Sequence, residues 1–337
     1  MHKFGFILFC TLFLFACSSP YHEHFFRENP EFSTQKSTIS GEIFYSSGKL
    51  ISLPNSHAQG DIINAINAAQ KRIWIEIYTW TDAAKLTDTV LAAKKRGVDV
   101  RVVLEGNVFG TPKINASLFQ KLKSAQIPVV YADNHRYTFT HAKFWIIDDL
   151  YFISTGNWTA SFFTKNREYI YQDSDTYTRS FLEMIFLSDS DHLGFKDISK
   201  IPSHIVMSPL DSREKLTEFI SSAKKNIILY VQTLDDPELL SHIEILHSQG
   251  VHVQICTADN ESNLQRQKEF SYLSWKLIRK PYLHAKIIIV DDVTMFIGSH
   301  NLTTNAIENN REIGIFLKNR TDLIKNVMGD FKGDDCS

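Results

Sequence analysis

Two histidines in this chain stand in nearly the same company. His141 and Lys143 are followed by Asp148, and His284 and Lys286 by Asp291, each set at H-x-K-x4-D spacing. Asn157 and Asn301 come next, preceded by Thr155 and Ser299, and each stretch ends in Arg-Glu at Glu168 and Glu312. The segments between Lys and Asp, FWII and IIIV, read as strands, and the Asp-Asp that follows reads as a turn. Alternation along a strand puts the His and Lys of each copy on one face. Two imidazoles, two ammonium groups and two amides around one cavity suit an ionised diester. The ammonium and amide groups stabilise its oxygens as phosphorus becomes five-coordinate. One neutral imidazole can attack phosphorus, and the other, protonated, can give its proton to the leaving alcohol. Equivalent histidines could not divide the work in this way, so their surroundings must push them apart. A carboxylate behind each ring would fix its tautomer, and Glu168 and Glu312 are the candidates.

The elements that position these residues also come twice. Residues 58–70 have the apolar period of a helix, Ile73–Tyr78 is a strand, Ala83–Arg96 a helix stopped by Gly97, and Val98–Leu104 a strand. A helix over Asn115–Ser124 and a strand from Pro128 to Tyr131 lead to the first motif. The second half repeats the order: strand Ile205–Ser208, helix Arg213–Lys224, strand Ile227–Val231, helix Pro237–Ser248, Gly250, strand Val251–Thr257. Strand–helix–strand alternation predicts an α/β fold with mainly parallel sheets. The offset between the halves falls from 154 at Thr79/Thr233 to 143 at His141/His284. The first half therefore carries about ten extra residues, between Asn107 and Asn115 or around Asn134–Thr140. Two such units make a pseudo-dimer with a shared site at the interface.

Composition excludes little. The chain has 337 residues, a hydrophobic fraction of 43% and a formal net charge of -2, which argues against a simple basic nucleic-acid binder. His2 and Lys3 precede an apolar run, Phe4–Ala16, that ends at Cys17. This resembles a lipoprotein signal with Cys17 as the lipidated residue; an ordinary cleaved signal and an uncleaved anchor are the alternatives. The domain plan is then a signal over 1–17, a tether over 18–40, a first domain over 41–195 beginning with a strand at Glu42–Ser46, and a second over 200–330. Cys256 is expected as a buried thiol and Cys336 as part of a loose tail, with a disulfide between them as the alternative. No spacing implies a zinc site. The aromatic residues near the motifs, Trp80, Tyr131, Tyr137, Phe139, Trp158, Phe162, Phe163 and Tyr282, suit either a substrate rim or core packing.

Both motif stretches resemble the HKD motif of the phospholipase D superfamily, and the second matches H-x-K-x4-D-x6-G-S-x-N throughout. The resemblance runs from about residue 41 to 318. It implies two homologous αβ(α) sandwich domains with mixed, mainly parallel sheets, packed as a pseudo-dimer around one active site. It also implies a metal- and cofactor-independent phosphodiesterase that works through a phosphohistidine, with His141 as nucleophile and His284 as acid and then base. Lys143, Lys286, Asn157 and Asn301, with the hydroxyls of Thr155 and Ser299, would bind the phosphate. Asp148 and Asp291 would be structural, as turn and salt-bridge residues. The first copy has one residue fewer between Asp148 and Asn157, which leaves the phosphate contacts of that half open. The expected reaction is hydrolysis of a glycerophospholipid to phosphatidic acid and head group. Nucleic-acid cleavage and cardiolipin-type synthesis or hydrolysis are the alternatives. The expected setting is a lipid-anchored, exported monomer whose partner is a membrane surface, with nucleic acid as the other candidate.

Overall fold

The structure is a computed structural model that describes residues 47–55, 57–81 and 85–336. The expected signal, Cys17, the tether and the strand at Glu42–Ser46 lie outside those residues. The first half runs β1 (Lys49–Leu53), α1 (Ala58–Ala68), β2 (Arg72–Ile77), α2 (Leu86–Lys95), β3 (Asp99–Leu104), α3 (Ala116–Ser124), β4 (Val129–Tyr131), β5 (Lys143–Ile147), β6 (Leu150–Ser154), α4 (Ala160–Thr164), β7 (Asn166–Asp173) and α5 (Thr176–Ser190). The second runs β8 (Ile205–Ser208), α6 (Ser212–Ser221), β9 (Asn226–Val231), α7 (Pro237–Ser248), β10 (His252–Ala258), α8 (Glu261–Glu269), β11 (Ser274–Ile278), β12 (Tyr282–Leu283), β13 (Lys286–Val290), β14 (Thr294–Gly298), α9 (Thr304–Glu308), β15 (Glu312–Lys318) and α10 (Thr321–Gly333).

Local chemistry accounts for the main boundaries. In β2, Ile73, Ile75 and Ile77 alternate onto the helix-covered face and join Ile62 and Ile66 of α1 in one buried cluster. Asp236 caps α7 by accepting the Leu239 N–H at 3.0 Å, and Pro237 occupies the first turn, where its missing N–H costs nothing. Gly97 and Gly250 follow α2 and α7 at φ +93° and +86°, a region open to glycine without penalty. Two helices, α5 and α10, close the halves and have no counterpart in the expected pattern. α5 lies on the other face of the first sheet, where Phe186 stacks on Trp74 at 5.3 Å.

The sheet orders are β1-β7-β6-β5-β2-β3-β4 and β11-β10-β9-β13-β14-β15-β8. Both sheets are mixed, as expected, but "mainly parallel" needs correction. Among the described residues, parallel pairing within each half joins the lead-in strands, β2-β3-β4 and β9-β10-β11, and the two-residue β12 of the second half runs parallel to β7 of the first. Within each half the motif strands and β1 and β8 pair antiparallel. Helical crossovers return lead-in strands in the same sense, whereas tight turns reverse the motif strands. The first strand of the described chain is β1, antiparallel to β7, with Ile51 and Leu53 buried.

Cys256 and Cys336 are bridged, which corrects the expected thiol and loose tail. The hydrophobic run around Cys256 hid this, because burial is as common for free cysteine as for cystine. The bridge ties the chain end to β10 across a separation of 80 residues. Cys336→Ala is therefore expected to lower unfolding stability by about 2–4 kcal/mol. Denaturant titration should show a lower midpoint, and adding reductant to the wild type should reproduce it.

Candidate active site

Each motif is a β-hairpin held at its base by the motif aspartate. Asp148 sits at φ 51° between β5 and β6 and accepts the N–H groups of Gln70, Lys71 and Arg72 at 2.8–2.9 Å. Asp291 at φ 54° does the same for Lys224, Lys225 and Asn226. Burial opposes their charge, but the backbone donors outweigh it and hold both carboxyls below the usual range. Both residues are architectural. Their partners are backbone amides rather than the expected salt bridges.

The two halves then exchange strands at the site. The His141 N–H donates to Arg311 O at 2.9 Å, and Arg311 N–H donates back to Phe139 O. In the mirrored position β12 pairs with β7, and the His284 N–H donates to Arg167 O at 3.1 Å. Each histidine is thus laid beside the Arg-Glu of the opposite half. As a result the carboxylates cross over: His141 Nδ1 lies 2.9 Å from both Glu312 oxygens, and His284 Nδ1 lies 2.8 Å from Glu168 Oε1. A carboxylate accepts, so at His141 Nδ1 carries the proton and Nε2 is left with its lone pair. The His side chains are 12% and 13% exposed and the glutamates 0% and 1%, so the rings alone of these four groups reach the surface.

The glutamates are themselves held. Thr155 Oγ1 donates to Glu168 Oε2 at 2.7 Å and accepts the Tyr169 N–H. Ser299 Oγ donates to Glu312 Oε2 at 2.5 Å and accepts the Ile313 N–H. Asn166 and Asn310 donate to the Oε1 atoms. The expected phosphate-binding role of Thr155 and Ser299 is therefore corrected: both hydroxyls are spent inside the protein on aiming the carboxylates. Gly156 makes room for this, since a Cβ there would lie 2.3 Å from Glu168 Oε1. The missing residue of the first copy falls in the hairpin turn. Ile147 pairs with Leu150 across two residues, and Val290 with Thr294 across three, so the site ends of the hairpins match.

Lys143 and Lys286 are fully buried beneath the rings. Lys286 donates to Thr155 O at 3.1 Å, Gln232 Oε1 at 3.0 Å and His284 O at 2.6 Å, and its Nζ also lies 2.9 Å from His284 Nδ1 and 3.4 Å from His284 Nε2. Lys143 donates to His141 O at 2.5 Å and sits over the Tyr78 ring at 5.2 Å. Tyr78 and Gln232 occupy equivalent places and break the symmetry. Asn157 Oδ1 accepts the Thr79 N–H at 3.2 Å, which leaves its NH2 to donate elsewhere. Asn301 Oδ1 is buried without a partner among the described residues.

The electrostatics separate the groups. Burial, helped by Lys143 and opposed by Glu312, brings His141 down to about 4. His284 is also lowered by burial, against Glu168. Burial works against ionised Glu312, yet His141 and Lys143 outweigh it and bring the carboxyl to about 2. In the free protein at neutral pH both rings are neutral and both glutamates ionised. Burial also lowers Lys286 to about 8 and Lys143 well below its ordinary value. The Lys286 charge is present below that value and lost above it. KM for an anionic diester is therefore expected to rise as pH passes about 8, read from initial rates across the pH range.

Sequence reasoning missed a second set of paired supports. Asn115 donates to Tyr78 O and Glu105 O and accepts the Trp80 N–H; Asn263 does the same with Gln232 O, Ala258 O and Leu234 N–H. The repeated Asn-Arg-Glu triplet was the available signal for Asn166 and Asn310; Asn115 and Asn263 differ in spacing and gave none. The offset falls from 153 at Glu105/Ala258 to 148 at Asn115/Asn263 and 143 at His141/His284, so both named loops carry extra residues. Arg167 and Arg311 are structural: Arg167 pairs with Asp334 at 2.7 Å and Arg311 with Asp189 at 2.9 Å. Of the aromatic residues, Trp80, Trp158, Phe162 and Phe163 are core, and Tyr137 bonds Arg311. Phe139 and Tyr282 stand at the site.

A family model described as "Cardiolipin synthase, PLD-like domain" matches residues 62–189 and again 216–334. The cardiolipin synthase of Halalkalibacterium halodurans is 26% identical over 80% of this chain and 62% of its own length. The mouse mitochondrial cardiolipin hydrolase is 27% identical over 36% of this chain and 57% of its own. This chain thus spans less than two thirds of those relatives. The phosphatidylserine synthase of Haemophilus influenzae has the same fold, with a TM-score of 0.67, 15% identity, and coverage of 93% and 91% of the two chains.

Proposed function

The chain belongs to the cardiolipin synthase PLD-like domain family, and from that premise we propose that it transfers phosphatidyl groups through a covalent phosphohistidine. The observation that carries the reading is the reciprocal pair of His–Glu contacts across the two halves. They give one centre with two imidazoles, each oriented through its Nδ1 by a glutamate of the opposite half.

In the first step the His141 Nε2 lone pair attacks phosphorus and the bond to the leaving oxygen breaks. His284 Nε2–H supplies the proton to that oxygen. The bound anion raises the depressed His284 value, which is how this ring enters protonated. In the second step an alcohol oxygen attacks phosphorus, the N–P bond breaks, and the alcohol proton goes to His284. Water in place of the alcohol gives phosphatidic acid, the hydrolysis that the sequence reading ranked first. The family match and the relative named a cardiolipin synthase, which covers most of this chain, favour transfer to a lipid alcohol; the mouse relative, named a hydrolase, matches only 36% of it. The strong lowering of His141 suits the residue that must arrive neutral. Lys143, with fewer protein acceptors than Lys286, is the cation we assign to the phosphate oxygens.

Export and lipidation at Cys17 are part of the proposal. The Cys256–Cys336 bridge supports an oxidising compartment. The test is purified protein, EDTA and phosphatidylglycerol vesicles. Glycerol release with formation of a two-phosphatidyl lipid is expected, and the chelator should leave the rate unchanged. Cleavage of plasmid DNA with the lipid untouched would overturn the lipid reading.

A further inference from the structure

The halves differ most at the loop between β3 and α3. In the second half β10 passes into α8 through Asp259 and Asn260 alone. In the first half the corresponding chain, residues 105–115, bulges outward and carries Phe109, which is 82% exposed, and Ile114, 39% exposed. Phe109 is held there by structure. Thr111 N–H closes a turn onto Val108 O, Gly110 takes φ +73° within it, and Val108 is buried as its anchor. The Phe109 N–H donates to Tyr78 Oη at 2.7 Å.

That tyrosine connects the loop to the chemistry. Its ring meets His141 edge-on at 4.7 Å, Phe139 at 5.9 Å, and Phe139 meets Phe109 at 6.4 Å. An edge-to-face ladder therefore runs from the reacting imidazole to an apolar tip in solvent. What lies along it is attached to the phosphorus that His141 attacks. Only one side of a phospholipid diester carries acyl chains, and among the described residues the three-ring ladder stands on the His141 side, against the single ring of Tyr282 at 6.3 Å from His284 on the other. A nucleic acid would bring phosphate charge along both sides and has no use for a one-sided apolar tip.

We infer that the Phe109 loop is the element that enters a lipid surface, seating the acyl-bearing side of a phospholipid along Phe139 and Tyr78. This deepens the lipid reading above and rests on it. Burying one phenylalanine side chain in an apolar layer is worth roughly a tenfold or greater change in partition.

The test compares wild type with Phe109→Ser and Phe109→Trp, on phosphatidylglycerol vesicles and on the soluble diester bis(4-nitrophenyl) phosphate. Phe109→Ser should lose about tenfold or more on vesicles and sediment less with them, while its soluble-diester rate stays within about twofold. Phe109→Trp should keep vesicle turnover and show a blue-shifted emission on binding. Equal vesicle turnover by wild type and Phe109→Ser would overturn the inference and leave the lipid reading standing. Soluble-diester cleavage by wild type with no vesicle turnover would overturn both.

Discussion

Replacing His141 by alanine is expected to lower turnover of any diester by on the order of 10⁵-fold, with the fold intact. The ring supplies the bond to phosphorus, and no other neutral imidazole holds that position. His284→Ala should behave differently, and the leaving group reveals why. A 4-nitrophenolate leaves without help, so the first step with an aryl diester should survive the loss of His284. The second step should stall, because no group takes the proton of the incoming water or alcohol. Rapid-mix experiments should then show one equivalent of nitrophenolate per protein followed by near silence. A lipid alkoxide needs the proton at departure, so on lipid both variants should be equally dead. The two substrates together assign the roles, and far-UV circular dichroism guards against unfolding.

Glu312→Gln is expected to reduce turnover by roughly 10²–10⁴-fold and to resemble loss of His141 rather than of His284. Glu312 belongs to the second repeat, yet it faces the histidine of the first. The glutamine amide can offer its NH2 to Nδ1, which moves the ring proton to Nε2 and removes the attacking lone pair. The nitrophenolate burst should disappear in Glu312→Gln and persist in Glu168→Gln. The opposite outcome would mean that each glutamate serves its own repeat. Ser299→Ala, which removes the hydrogen bond aiming Glu312, should show a weaker form of the same defect.

The sequence made much of this legible because duplication repeats a signal. The continuous strand-forming runs in KFWII and KIIIV located the motif strands, and paired spacing identified His, Lys, Asn and Glu as one set. It did not reveal which glutamate meets which histidine. That depends on backbone pairing between residues far apart in the chain, Thr140 with Arg311 and Leu283 with Arg167. Local periodicity carries no trace of such pairing. Thr155 and Ser299 were misassigned for a related reason: a hydroxyl suits a carboxylate and a phosphate equally, and only the fold decides which is near. The excess of antiparallel pairing was also hidden, because the helical crossovers that dominate the lead-in are easier to read than two hairpins. The role of α5 and α10 appeared only through Asp189 and Asp334, which brace the arginine beside each glutamate.

The central claim is that both halves build one centre in which His141 takes the phosphoryl group. The most direct measurement is acid-free quench of His284→Ala after mixing with an aryl diester, followed by peptide mass mapping. One phosphoryl adduct on the peptide containing His141 is predicted, and none when His141 is also replaced. An adduct elsewhere, or turnover with no adduct on any residue, would contradict the account.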